Sequence, residues 1–161
     1  MKMEAEYGAY EAAVDGWPIR TVVVDDSPTT LKTLSLLLER ENGFQLVGTA
    51  TDGYHAVRRV VELEPDLVLM DLRLPEMSGL DATRRIKARS PATTVIMVTA
   101  EDTPACRAAA SAAGTDDFVG KWQMLTQLPA AMRELFPRAA KSDFVRLRKV
   151  TSEEVAMNRE R

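Results

Sequence analysis

The chain has 161 residues, 45% apolar and 28% charged, and a net charge of -3. That length suits one domain with short extensions, and the mild acidity gives no ground for nucleic-acid binding by the chain as a whole. A single cysteine, Cys106, rules out an internal disulfide or a cysteine metal cluster, and a lone His55 argues against histidine-based metal or triad chemistry. No run approaches the roughly 20 apolar residues that cross a bilayer. The first residues do not read as a signal peptide, so a reducing cytoplasm is the expected compartment.

Residues 1–18 read as an extension with weak helical character, ended by Gly16 and Pro18. Ile19–Asp25 is β-branched and apolar, as a strand buried on both faces should be. Ser27 is a candidate N-cap and Pro28 suits a first helical turn. Leu31, Leu34 and Leu38 then mark an amphipathic helix to about Arg40, broken by Asn42-Gly43. Phe44–Ala50 is a second strand and Gly53–Glu64 a second helix, stopped by Pro65.

Asp66–Asp71 is the third strand, and Leu72–Gly79 a loop. Leu80–Arg89 is the third helix, with Ser78 as its cap. Thr93–Thr99 is the fourth strand. The alanine-rich Thr103–Ala113 is helical and ends at Gly114. Asp117–Lys121 is a short fifth strand, and Met124–Leu135 the fifth helix. Five strands alternating with five helices predict a parallel sheet with right-handed crossovers. The folded domain spans 19–137. The polar remainder, 138–161, holds a basic cluster at Arg138, Lys141, Arg146, Arg148 and Lys149, read as a solvated linker. T-S-E-E at Thr151–Glu154 is a capping box for a short last helix.

Reactive residues close four of the strands: Asp25 and Asp26 the first, Asp71 the third, Thr99 the fourth and Lys121 the fifth. Singly, each has an ordinary explanation as a turn residue, cap, strand threonine or solvated charge. Together they fall where the carboxyl ends of parallel strands line one crevice, and ligands bind there. Three carboxylates about 5 Å apart repel by roughly 3 kcal/mol per pair at an effective dielectric near 20. Mg²⁺ would remove that repulsion with oxygen ligands. An aspartate beside it can attack phosphorus, and Lys121 supplies a mobile charge for a phosphoryl oxygen.

The segments VVVDDSPTTLKTL, PDLVLMDLRLPEMSGLDATRRI, VIMVTAED and GTDDFVGK resemble the receiver domain of two-component response regulators, over about Ile19 to Phe136. The resemblance implies a flavodoxin-like α/β sheet of strand order 2-1-3-4-5. It implies that Asp71 takes a phosphoryl group from a histidine kinase or phosphotransfer protein. Mg²⁺ would be held by Asp25, Asp26, Asp71 and the backbone carbonyl of Arg73. Thr99 and Phe118 match the switch pair, and Lys121 the phosphate-binding lysine. Such a receiver catalyses its own phosphoryl transfer and slow dephosphorylation rather than acting as a conventional enzyme.

The family carries proline after that lysine, whereas Trp122 stands here. A cis bond before a non-proline residue costs roughly 3–4 kcal/mol, so a trans Lys121–Trp122 bond and an altered start to the fifth helix are expected. Arg73 and Glu101 each lie two residues past a site residue, and opposite charges there are expected to pair across the pocket mouth. The output is a downstream protein partner or a missing output domain of a longer regulator. A small aspartyl-phosphate hydrolase is the alternative from another class, and homodimerisation is left open.

Overall fold

The computed structural model describes residues 18–139. The extension at 1–17 and the tail from 140 onward, with the Thr151–Glu154 capping box and all of the basic cluster except Arg138, lie outside the described residues.

Among the described residues the elements follow one another from strand to helix. They are β1 (Ile19–Val24), α1 (Pro28–Arg40), β2 (Phe44–Ala50), α2 (Gly53–Leu63), β3 (Leu67–Met70), α3 (Gly79–Arg89), β4 (Thr94–Thr99), α4 (Pro104–Ala113), β5 (Asp117–Gly120), a 3₁₀ turn (Lys121–Gln123) and α5 (Met124–Leu135). The strands pair in parallel in the order β2-β1-β3-β4-β5, as the sequence predicts.

Residue alternation along the strands divides the core into two layers, because successive strand side chains point to opposite faces. Val22, Val24, Val68, Met70, Val95, Met97 and Phe118 pack with α2, α3 and α4. Val23, Leu67, Leu69, Ile96, Val98 and Val119 pack with Leu34 and Leu38 of α1 and Leu128 and Met132 of α5. This two-sided burial is why the strands read as continuous apolar runs.

Four helices start on a side chain that accepts an otherwise orphaned N–H. Ser27 caps α1 through Thr30, Asp52 caps α2 through His55, Ser78 caps α3 through Asp81, and Thr103 caps α4 through Cys106. Such caps contribute about 1 kcal/mol each. They also fix the loops at the carboxyl edge of the sheet, where the reactive residues lie.

Two details correct the sequence reading. Lys121 does not close β5: the strand ends at Gly120, and Lys121 opens the 3₁₀ turn, whose carbonyl accepts the Met124 N–H. No proline steers the chain into α5, and the intervening Trp122 is 86% exposed. Pro129 sits inside α5, buried. It removes one helical N–H, and burial beside Leu128, Ala131 and Met132 in the core offsets that loss. The strands β3 and β4 are also a residue or two shorter than read. The Asp66 side chain accepts the Arg20 N–H instead (2.8 Å).

Candidate functional site

The sheet register sets Val24, Met70 and Met97 side by side. The residues that follow the first two, Asp25 and Asp71, therefore emerge as neighbours, and the Asp71 N–H donates to the Val24 carbonyl (2.9 Å). Asp26 follows at the exposed rim. Carboxylate oxygens of Asp25, Asp26 and Asp71 all lie within 4.8 Å of one another. Asp25 and Asp71 are buried, at 1% and 4% exposure, and Thr99 beside them is 1% exposed.

Lys121 reaches into this cluster. Its Nζ is 2.6 Å from Asp25 Oδ2 and 3.4 Å from Asp71 Oδ2. The other Asp25 oxygen accepts the Ser27 N–H (2.9 Å), which orients that carboxylate. Asp71 Oδ1 is buried without a hydrogen-bond partner. A buried acceptor left unmatched costs about 1–3 kcal/mol, more when charged. Such an atom points to a ligand.

The site's electrostatics agree. Burial raises the Asp71 pKa, the Lys121 charge opposes that, and the nearby Asp25 adds to the rise. For Lys121, burial pulls the pKa down, but hydrogen bonding to Asp25 and the charge of Asp71 outweigh it, and the net shift is upward. Three carboxylates against one ammonium leave two formal negative charges uncompensated. An all-oxygen donor set with that deficit fits a hard divalent cation.

The chain matches the family model "Response regulator receiver domain" over residues 21–133. It belongs to the response regulator receiver family. The receiver is 36% identical over 124 residues to a probable transcriptional regulatory protein, TcrX, of Mycobacterium tuberculosis, covering 77% of this chain and 52% of that one. It is 39% identical over 108 residues to a protein-glutamate methylesterase/protein-glutamine glutaminase of Koribacter versatilis, covering 66% and 30%. The chain thus spans about half or less of these curated relatives. Its fold is similar to a chain of the CheX–CheY–BeF3–Mg²⁺ complex from Borrelia burgdorferi, with TM-score 0.71, 26% identity, and coverage of 79% and 93%.

Around the acid cluster, the receiver brings the remaining sequence-predicted residues together. The Arg73 Nε lies 2.6 Å from Glu101 Oε2, so the expected pair across the pocket mouth is formed. That contact raises the Arg73 pKa and lowers that of Glu101. The Thr99 hydroxyl accepts the Glu101 N–H (3.3 Å). Phe118 is turned inward, 9% exposed.

One cluster was missed in the sequence. The Arg107 guanidinium stacks over the Phe118 ring, 4.6 Å from its centroid. It also grips both oxygens of Asp102, through Nε (2.6 Å) and Nη2 (2.8 Å). Asp102 packs so close to Gly120 that a Cβ there would come within 2.9 Å of Asp102 Oδ2. These residues link the β4–α4 loop, α4 and the residue before Lys121. The separation of five between Asp102 and Arg107 is not a helical pairing, so only the sequence Asp-Thr-Pro, an acid just ahead of a helix cap, hinted at it.

The raised Asp71 pKa has a signed consequence. The folded state binds the Asp71 proton more tightly than the unfolded chain, so stability falls as pH rises through the window between the two pKa values. Asp71→Asn should therefore raise the metal-free Tm by a few degrees at pH 7. The gain should vanish in acid, below the ordinary aspartate pKa of about 3.9. Thermal melts at several pH values in a chelator check this, and a fall in Tm at pH 7 would oppose it.

Proposed function

We propose that this receiver is a phosphorylation-dependent signalling switch whose acceptor is Asp71. The partnerless buried oxygen of Asp71, amid three carboxylates and one lysine, is the observation that carries the reading. A histidine kinase or phosphotransfer protein presents a phosphohistidine. An Asp71 carboxylate oxygen attacks phosphorus, the P–N bond breaks, and its electron pair returns to the imidazole ring. Asp25, Asp26, Asp71 and the backbone carbonyl of Arg73 would hold Mg²⁺, which supplies charge neutralisation to the transferring group. Lys121, already 3.4 Å from Asp71, follows the phosphoryl oxygens.

A phosphoryl group adds about −1.5 to −2 charge and strong acceptor oxygens. The Thr99 hydroxyl turns toward it, giving up its bond from the Glu101 N–H. The space it leaves favours the inward Phe118, and the face made by α4, β5 and α5 is biased between two arrangements. Trp122 and Leu125, 86% and 64% exposed, stand beside that face and suit a protein partner or an attached output domain. The transcriptional and methylesterase names of the longer relatives make such an output domain the favoured destination of the signal.

The reading is tested by incubation with acetyl phosphate. An acid-stable, base-labile phosphoryl adduct should form with Mg²⁺ and fail to form in a chelator. The same assay tests the mouth. The exposed Arg73–Glu101 pair contributes little stability, but it screens the line of approach of a hydrolytic water. Arg73→Ala should shorten the aspartyl-phosphate half-life severalfold, and an unchanged half-life would dismiss the screen.

A further inference from the structure

The Phe118 ring packs from β5 into the core layer shared with α2, α3 and α4, and it has no hydroxyl with which to anchor itself there. A cation lies over one face of the ring. The Arg107 guanidinium of α4 stands 4.6 Å from the ring centroid, where the negative face of the ring attracts the charge. A free arginine side chain samples many rotamers. This one is fixed, because its Nε and Nη2 bond the two oxygens of Asp102 at 2.6 and 2.8 Å. A planar two-point grip orients the guanidinium as well as holding it. Asp117, whose carboxylate accepts the Phe118 N–H (2.7 Å), adds a further negative charge that favours the cation in this place.

Asp102 is held in turn. Thr99 of β4 faces Gly120 of β5 in the sheet register, and the Asp102 carboxylate lies against that glycine, where a Cβ would come within 2.9 Å of Oδ2. A side chain at position 120 would have to push Asp102 aside and loosen its hold on Arg107. The path from Thr99 to the ring is short. The Thr99 hydroxyl accepts the Glu101 N–H (3.3 Å), Asp102 follows Glu101 directly, and Thr103 caps α4, the helix that carries Arg107. Gly120 is also the residue before Lys121, whose Nζ reaches Asp25 and Asp71. One ion pair therefore meets both the ring of β5 and the backbone that delivers the lysine.

We propose that Asp102 and Arg107 are positioning residues that together hold Phe118 inward before any phosphoryl group arrives. Neither touches the acid cluster. Asp102 fixes the guanidinium, the guanidinium holds the ring, and the ring's inward position is the one that a phosphoryl group favours when Thr99 turns toward it. Two influences that favour one arrangement reinforce each other, so the pair raises the affinity of the acid pocket for a phosphoryl group without contacting it. The link to phosphorylation rests on Asp71 as the acceptor; the hold on the ring does not.

The test uses the full chain with 4-fluorophenylalanine in place of its phenylalanines, the Phe118 fluorine signal being assigned by its loss in Phe118→Leu. The change of that signal between H2O and D2O reports exposure of the ring and is read without metal. Asp102→Ala and Arg107→Leu should each raise this solvent shift well above the parent's, with unchanged far-ultraviolet circular dichroism. With Mg²⁺ added, each should also weaken binding of beryllofluoride, a phosphoryl analogue, by about threefold or more, the factor by which the inward population falls. Asp102→Ala/Arg107→Leu should lose no more than Arg107→Leu alone, because the two side chains act as one unit. An unchanged ring signal in both single variants would overturn the proposal, and so would losses that add in the double variant. A moved ring with unchanged beryllofluoride binding would overturn the link to phosphorylation. A parent that takes up Mg²⁺ but no beryllofluoride counts instead against Asp71 as the acceptor, and the metal-free ring signal still decides the hold on Phe118.

Discussion

Replacing Lys121 with alanine is expected to lower the rate of phosphorylation by acetyl phosphate at least ~100-fold, the usual consequence of removing one preorganised charge from a transition state. The metal-free protein should also lose about 3–5 kcal/mol at pH 7, as when one partner of a buried ion pair is deleted. The ammonium is 2.6 Å from Asp25 and 3.4 Å from Asp71, both nearly fully buried, and no other cation contacts either carboxylate among the described residues. The folded-state pKa of Lys121 is raised, so its contribution is fully present below the unfolded lysine value of about 10.4 and is lost as pH rises through the higher folded value. Parent and variant should therefore converge in strong alkali. Urea unfolding in a chelator measures the difference at pH 7. A change below about 1 kcal/mol would mean that water, not Lys121, solvates the aspartates.

The second large effect is steric and lies at Gly79. A Cβ there would drive into the carbonyl oxygen of Asp71 and stand 2.9 Å from its carbonyl carbon. The obstacle is backbone, with no side chain able to swing away. The same residue donates its N–H to Leu72 (2.9 Å) and accepts the Thr83 hydroxyl (2.7 Å), so the start of α3 is anchored directly against the acceptor loop. Gly79→Ala should cost about 3 kcal/mol, the upper part of the usual overpacking range. It should also slow phosphorylation, since a misplacement of about 1 Å in a reacting group can lose 100-fold. Gly48→Ala is the control. Its Cβ would crowd the Leu63 side-chain end, at 2.7 Å, where a methyl group can turn aside, and would make ordinary contact with a Val22 methyl at 3.9 Å. Denaturation midpoints that fall equally for both variants would refute the argument from Gly79.

The sheet was legible because each strand is an apolar run ended by a turn or cap residue, and period alone separates strands from helices here. The site was legible because its members sit at strand ends, where fold topology turns sequence spacing into proximity. Arg73 and Glu101 paired as expected for the same reason: they follow the ends of the adjacent strands β3 and β4, by three residues and by two. What escaped the sequence depends on contacts between elements. Nothing local marks Arg107 as the cover of Phe118, since the two meet only when α4 packs on β5. Gly79 reads as a loop residue until the Asp71 carbonyl is seen beneath it. Pro129 argues against a helix locally, yet core packing of α5 overrides it. Lys121 reads as a strand end because the apolar run reaches it, but the 3₁₀ turn claims its backbone while its side chain still reaches Asp25.

The most direct measurement is intact-protein mass after incubation with Mg²⁺ and acetyl phosphate, run beside Asp71→Ala. The expected result is one phosphoryl group gained by the parent and none by the variant. A phosphoryl group on Asp71→Ala, or none on a parent shown to bind Mg²⁺, would contradict the assignment of Asp71 as the acceptor.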